Sequence, residues 1–124
     1  MSCHLCANEN AETAWGAARA TRVAALVEES HCSLQITACS CGQRFINVFT
    51  ERIDWNGGED DQTWLTLAIA ADEAARLEGT AEGELHRVVN ALGVGRRFLV
   101  RSFPTGGVLS VWWQASGFSI GPHD

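Results

Sequence analysis

Between Gln43 and Trp55 the apolar residues fall on alternate positions. Phe45, Phe49, Ile53 and Trp55 lie on one side of an extended chain, and Ile46 and Val48 on the other, where they give way to Arg52 and Asp54. A period of two predicts a β-strand, buried on both faces where it starts and half exposed where it finishes. His31 to Ala38 alternates more briefly, with Cys32, Leu34 and Ile36 on one side, and Cys39-Ser40-Cys41-Gly42 is the turn that joins it to the following strand. After the polar, Gly-rich stretch Asn56 to Gln62, Trp64 to Ile69 reads as a third strand. Arg97 to Phe103 and Val108 to Gln114 flank Pro104-Thr105-Gly106-Gly107, which has the turn chemistry of a hairpin.

The helical period occurs elsewhere. Leu85, Val88, Val89 and Leu92 recur at i, i+3, i+4 and i+7 within Glu82 to Leu92, and Asp72 to Glu78 runs into Gly79 at a C-cap position. Near the N-terminus, Asn8 to Thr13 offers cap residues and early acids ahead of the alanine-rich stretch Ala14 to Glu29. Trp15, Ala18, Val23, Leu26 and Val27 gather toward one face there, with Arg19 and Arg22 interrupting the stripe, and the stretch predicts one helix. The resulting order α-β-β-β-α-α-β-β predicts a single α+β domain over residues 1–124, a mainly antiparallel sheet of about five strands with an N-terminal helix and two short helices.

Composition narrows the class without naming a function. With 46% hydrophobic and 19% charged residues the chain is ordinary for a globular protein, and no apolar run approaches the ~20 residues that span a bilayer. The N-terminus shows no basic segment followed by an apolar stretch, so a reducing cytoplasm is the expected compartment, in keeping with an odd cysteine count. All nine basic residues are arginine against fifteen carboxylates, a formal net charge of −6. Only Arg96, Arg97 and Arg101 cluster, which argues against a nucleic-acid partner, since tracking a phosphate backbone calls for a basic stripe.

Candidate chemistry sits in the cysteines. Four of the five form two close pairs, Cys3-His4-Leu5-Cys6 and Cys39-Ser40-Cys41, and each pair can supply two ligands from one tight turn to a tetrahedral site. Cys32, His4 and His31 are reserve ligands that could replace one of the four. Four thiolates around one Zn²⁺ would add about two negative charges to the net count. Cys3, Cys6, Cys39 and Cys41, with Gly42 after the last, resemble the zinc-ribbon and treble-clef group of zinc modules over residues 1–45. That resemblance implies a structural zinc knuckle, and the Cys-x-Cys second pair and the helix between the pairs distinguish this chain from a simple ribbon.

Catalytic patterns are sparse. A catalytic zinc keeps an open position and uses His or carboxylate ligands, whereas four thiolates close the shell. There is no His-Glu-x-x-His, nor the His-x-Glu with Cys-x-x-Cys of zinc deaminases. His86 with Glu82 one turn earlier reads as a helix-surface pair, and the acidic loop Asp54 to Asp61 fails the calcium-loop spacing because Leu65 stands where the closing Glu belongs. The five tryptophans point instead to recognition. Trp112 and Trp113 are adjacent in a strand and must face opposite ways. With Asp54, Trp55, Glu59, Asp60 and Asp61 they form the expected partner-binding set, because tryptophan dominates interface hot spots and acids steer basic partners. The expectation is a small zinc-stabilised protein that binds another protein, a basic one in the concrete form of an acidic inhibitor or immunity-type protein. The alternatives are a metal- or thiol-dependent enzyme using the metal or Cys32, and a nucleic-acid-associated zinc-ribbon regulator.

Overall fold

The computed structural model of the chain describes residues 3–29, 31–53, 60–104 and 107–120. Six strands form one antiparallel sheet in sequence order: β1 (Thr21–Glu28), β2 (Cys32–Ala38), β3 (Arg44–Ile53), β4 (Asp60–Ile69), β5 (Phe98–Pro104) and β6 (Ser110–Gln114). Helix α1 (Ala11–Ala18) precedes the sheet. Residues 70–97 connect β4 to β5 through α2 (Ala71–Glu78), a short 3₁₀ turn (Glu82–Glu84) and α3 (Leu85–Gly93). The α+β class and the antiparallel sheet match expectation, with one strand more than the five foreseen.

The extra strand comes from the N-terminal helix, which is half as long as its alanines suggest. Asn10 caps α1, its Oδ1 accepting the Thr13 N–H at 3.1 Å, and the helix stops at Arg19. Thr21 to Glu28 then pairs with β2, from Thr21 opposite Ala38 to Glu28 opposite Ser33, with two register shifts. Alanine favours helix only weakly, and β-branched Thr21, Val23 and Val27 gain more by completing a sheet whose neighbour is already buried. Two further boundaries move for the same reason. β4 begins at Asp60, inside the stretch read as a polar turn, because Ile53 opposite Asp60 and Arg52 opposite Asp61 continue the β3–β4 ladder. The 3₁₀ turn takes Glu82 to Glu84 out of the helix expected from Glu82.

Register assigns the two faces of the sheet. Cys32, Leu34 and Ile36 of β2, Ile46 and Val48 of β3, Leu67 and Ile69 of β4, and Phe98 and Val100 of β5 share one face, where Leu77, Leu85, Val88, Val89 and Leu92 of the helices cover them. Phe118 and Ile120 close this core, Phe118 edge-on to Phe98 at 5.1 Å. Glu73 fastens the helical connection to the start of β5: its carboxylate accepts both Arg96 guanidinium nitrogens, at 2.6 and 2.9 Å, and the Ala70 N–H at 2.8 Å. Two ranks cross the opposite face, Ser33–Phe49–Trp64–Arg101–Val111 and Gln35–Asn47–Thr66–Leu99–Trp113. Helix α1 packs beside β6 on the molecule. Among the described residues no helix is long and apolar enough to cross a membrane.

Candidate metal centre

Two turns carry the cysteine pairs to one end of the sheet. At the N-terminus the Ala7 N–H bonds to the Cys3 carbonyl at 3.0 Å and curls the chain so that Cys3 and Cys6 project together. Between β2 and β3 the Cys39 N–H bonds to Gln43 O at 3.0 Å and the Gly42 N–H to Cys39 O at 2.9 Å. Gly42 has φ +95°, a left-handed conformation that a side chain would strain, so glycine after the second pair is a requirement of the turn.

The turns meet closely. Sγ–Sγ separations are 3.8 Å for Cys3–Cys6, 3.6 Å for Cys3–Cys39 and 3.8 Å for Cys6–Cys41, and all four sulfurs lie within 4.8 Å of one another. A tetrahedron with metal–sulfur bonds of about 2.3 Å has edges of about 3.8 Å, and three of the six sulfur pairs already stand at that separation. None of the four is in a disulfide. Cys6 and Cys39 are buried against Ala18 and Phe45, with Cys3, Ala17 and Ala68 beside them, while Cys41 faces solvent. These four residues can hold a metal ion.

Electrostatics favours a cation there. Backbone N–H groups, of Cys6 first and then Leu5, hold the Cys3 thiol down at about 6, whereas burial pushes the Cys6 thiol up to about 12. A buried thiol ionises only with positive charge beside it, and a divalent ion supplies that charge while binding the thiolates it creates.

The reserve ligands fall elsewhere. His4 is exposed in the first turn, and His31 Nδ1 lies 3.1 Å from the Glu51 carboxylate. Cys32 is buried in the main core with its sulfur 3.8 Å from His86 Nε2, a neighbour that sequence spacing did not reveal. Burial, and then Glu29, push its thiol up, so at neutral pH Cys32 is a neutral apolar side chain and a weak nucleophile.

The expected partner-binding residues separate in the same way. Asp54, Trp55 and Glu59 lie outside the described residues, Asp60 opens β4, and Asp61 is exposed. Trp112 and Trp113 do face opposite ways. Trp112 is 40% exposed, but Trp113 is turned inward: its Nε1–H donates to Asn8 O at 2.7 Å and Arg97 stacks on its ring at 3.9 Å. Arg97 also pairs with Glu9, so this corner ties the segment after Cys6 to the sheet.

Sequence reasoning missed a second cluster on the open face. Trp15 and Arg19, one helical turn apart on α1, meet Trp64 and Arg101 of the sheet. The signal was present in the arginines that broke the apolar stripe of the supposed long helix. Comparison of the chain with family models, curated proteins and solved structures finds no match. The functional reading therefore rests on the geometry of the chain itself.

Proposed function

We propose that this chain is a zinc-stabilised binding protein, in which Cys3, Cys6, Cys39 and Cys41 hold a structural Zn²⁺ and a separate surface engages another protein. The observation that carries the metal assignment is the convergence of four sulfurs within 4.8 Å, three pairs of them at 3.6 to 3.8 Å, which suits a four-thiolate zinc site. An all-thiolate shell leaves no open coordination position, which favours structure over catalysis. Five cysteines outside any disulfide and the all-thiolate site support a reducing, cytoplasmic setting.

The docking surface in this reading is the β5–β6 hairpin. Leu109 and Trp112 are each 40% exposed and Val108 is 81% exposed on or beside the edge strand β6, while Phe103, 44% exposed, lies on the other face of β5. Monomeric proteins normally interrupt such edges, and exposed aromatic anchors are the usual centre of a protein interface. Asp61, exposed on β4 and paired in register with Pro104, puts an acid at the end of the same hairpin. With the net charge of −6 it supports a basic partner.

Metal content of freshly purified reduced protein tests the first half of the proposal. About one equivalent of zinc is expected, and substitution by Co²⁺ should give the charge-transfer absorption of thiolate ligation; less than about half an equivalent would overturn the assignment. For the second half, affinity capture should recover a stoichiometric basic protein with the native chain and lose it with Trp112→Ala. Equal recovery by both would remove the hairpin from consideration.

A further inference from the structure

The sheet face opposite the main core carries a recess of about 240 Å³ lined by Arg19, Ser33, Gln35, Asn47, Phe49 and Trp64. Its floor follows from register. Ser33, Phe49 and Trp64 stand in one cross-strand rank and Gln35 and Asn47 in the next, so alternate residues of three strands reach the same space. Phe49 and Trp64 form an aromatic wall with ring centroids 5.0 Å apart. Arg19 enters from the end of α1.

Asn47 and Arg19 are held in place by a hydrogen-bond network. The Asn47 carboxamide is buried and fixed from three sides: Oδ1 accepts from the Thr66 hydroxyl at 2.8 Å and from Arg19 at 3.2 Å, and Nδ2 donates to Thr37 Oγ1 at 2.6 Å. The Thr37 hydroxyl in turn donates to Ala18 O at 2.7 Å, which ties the network to the end of α1. Arg19 stacks on Trp15 at 4.7 Å, and Arg101 reaches the same indole at 4.6 Å and the Trp64 ring at 4.3 Å. Two guanidinium groups thus share one tryptophan, and among the described residues neither pairs with a carboxylate. Partial burial, and then repulsion from Arg101, weaken the hold of Arg19 on its proton, while the Trp15 Nε1–H is buried with no acceptor among the described residues. Of these groups Arg19 lines the recess itself, and a partly desolvated cation is unfavourable unless an anion completes it.

We propose that this recess is a binding site for a small aromatic monocarboxylate, whose carboxylate bonds to the guanidinium of Arg19 and whose ring packs on Phe49 and Trp64. Three observations select that class. Arg19 gives one of its nitrogens to Asn47 and keeps further N–H groups for a carboxylate, the planar anion that matches its fork. The cavity is smaller than the ~300–1,000 Å³ of sites for drug-sized ligands, which limits the occupant to about one ring and one acid group. The negative field of the chain disfavours dianions such as phosphate. Ser33 and Gln35 also line the recess and carry side-chain donors for a second carboxylate oxygen. The proposal rests on none of the residues assigned to the metal or to the hairpin surface.

Titration of the metal-loaded chain with benzoate and indole-3-acetate at constant ionic strength tests it, followed by ¹H–¹⁵N shifts and tryptophan fluorescence. Benzamide and inorganic phosphate serve as the uncharged and dianionic comparisons. Saturable binding is expected, with shifts centred on Ser33, Gln35, Phe49 and Trp64, and about tenfold or more tighter for benzoate than for benzamide. Arg19→Gln should weaken benzoate by a similar factor and leave benzamide unchanged. Because Arg19 also supports Asn47, Gln35→Leu provides a second variant that touches no part of that network and should weaken benzoate several-fold. Equal affinity for benzoate and benzamide, tighter phosphate than benzoate, shifts centred away from the recess, or unchanged benzoate affinity in both variants would each overturn the proposal.

Discussion

Replacing Cys39 and Cys41 together by serine removes two of the four sulfurs and leaves the rest of the second turn intact. The N-terminal segment then has no metal to hold it and keeps only its own contacts. Those contacts are few: the buried Cys6 against Ala18 and Phe45, the Trp113–Asn8 hydrogen bond, and the exposed Arg97–Glu9 pair. Burial of a residue the size of Cys6 contributes about 1 to 2 kcal/mol, the hydrogen bond about 1, and the exposed pair little. Detachment of the segment therefore removes about 2 to 3 kcal/mol, and the binding energy of the ion adds to that as linkage, so the total is at least about 3 kcal/mol. For a chain of this length about 3 kcal/mol lowers Tm by roughly 10 °C or more. The main core does not include this segment, because Leu34, Ile36, Ile46, Leu67 and their helical cover are buried without it. The double variant should thus remain folded, lose its zinc, show a Tm at least ~10 °C lower by calorimetry, and exchange amide hydrogens faster over residues 3–18 while β2 to β5 keep their protection. Full zinc occupancy with an unchanged Tm would refute the ligand set, and loss of all protection would refute the view that the metal is a local staple.

Other parts of the structure give sharper single tests. The Arg96 hydrogen bonds hold the Glu73 carboxyl below its ordinary value of 4.5, so the stabilisation by the pair is complete above that value and fades as pH falls through the depressed folded-state value. Glu73→Gln should cost about 1 kcal/mol at neutral pH, a figure discounted because Arg96 is 39% exposed, and the difference from wild type should vanish in acid; urea titrations at several pH values read both. A methyl group at Gly93 would overlap the Phe118 ring in the core, so Gly93→Ala should lower stability by about 1 to 3 kcal/mol, and a neutral result would place Phe118 elsewhere. Thiol labelling of the native metal-loaded protein should be slow throughout; chelation should release exposed Cys41 and partly exposed Cys3 first, with Cys32 reacting only on unfolding.

What the sequence made legible was what short-range periodicity encodes. β2, β3, α3 and β5 were readable because their apolar residues alternate or recur on one face, α2 from the Gly79 that ends it, and the four-cysteine cluster because pairs two and three residues apart are rare. Residues 19 to 29 were misread because propensity and pattern conflict there: alanines suggest helix, whereas Thr21, Val23 and Val27 suit a strand whose partner, β2, is distant from local inspection. That error hid the open face as well. Arg19 looked like a flaw in a helical stripe, and Arg101 belonged to a basic cluster with Arg96 and Arg97. Only the six-strand register separates Arg101 onto the face opposite the main core, beside Trp64, while Arg96 turns to Glu73 and Arg97 to Trp113. Such long-range choices depend on which strand lies next to which, and no local window contains them.

Helix α1 joins the two sites, and the joint has a consequence for ligand binding. Its last residue, Ala18, is fully buried in the cysteine cluster, and the Ala18 carbonyl accepts the Thr37 hydroxyl that positions Asn47. Arg19, the C-cap of the same helix, lines the recess and stacks on Trp15 one turn earlier. A metal that fixes Cys6 and Cys39 around Ala18 therefore fixes the height at which Arg19 stands over the sheet, 8 residues of helix being too short to hold a position without tertiary anchors. Removing the metal should loosen α1 on β2 and β3, and the recess should then hold its carboxylate less well while the sheet beneath it is intact. The expected outcome is a fall of about fivefold or more in benzoate affinity after chelation, restored by Zn²⁺, within the 1 to 3 kcal/mol typical of coupled sites. Benzamide, which takes nothing from Arg19, should change less. Identical benzoate binding with and without metal would show that Asn47 and Thr37 alone hold Arg19 in place and that the two sites are independent.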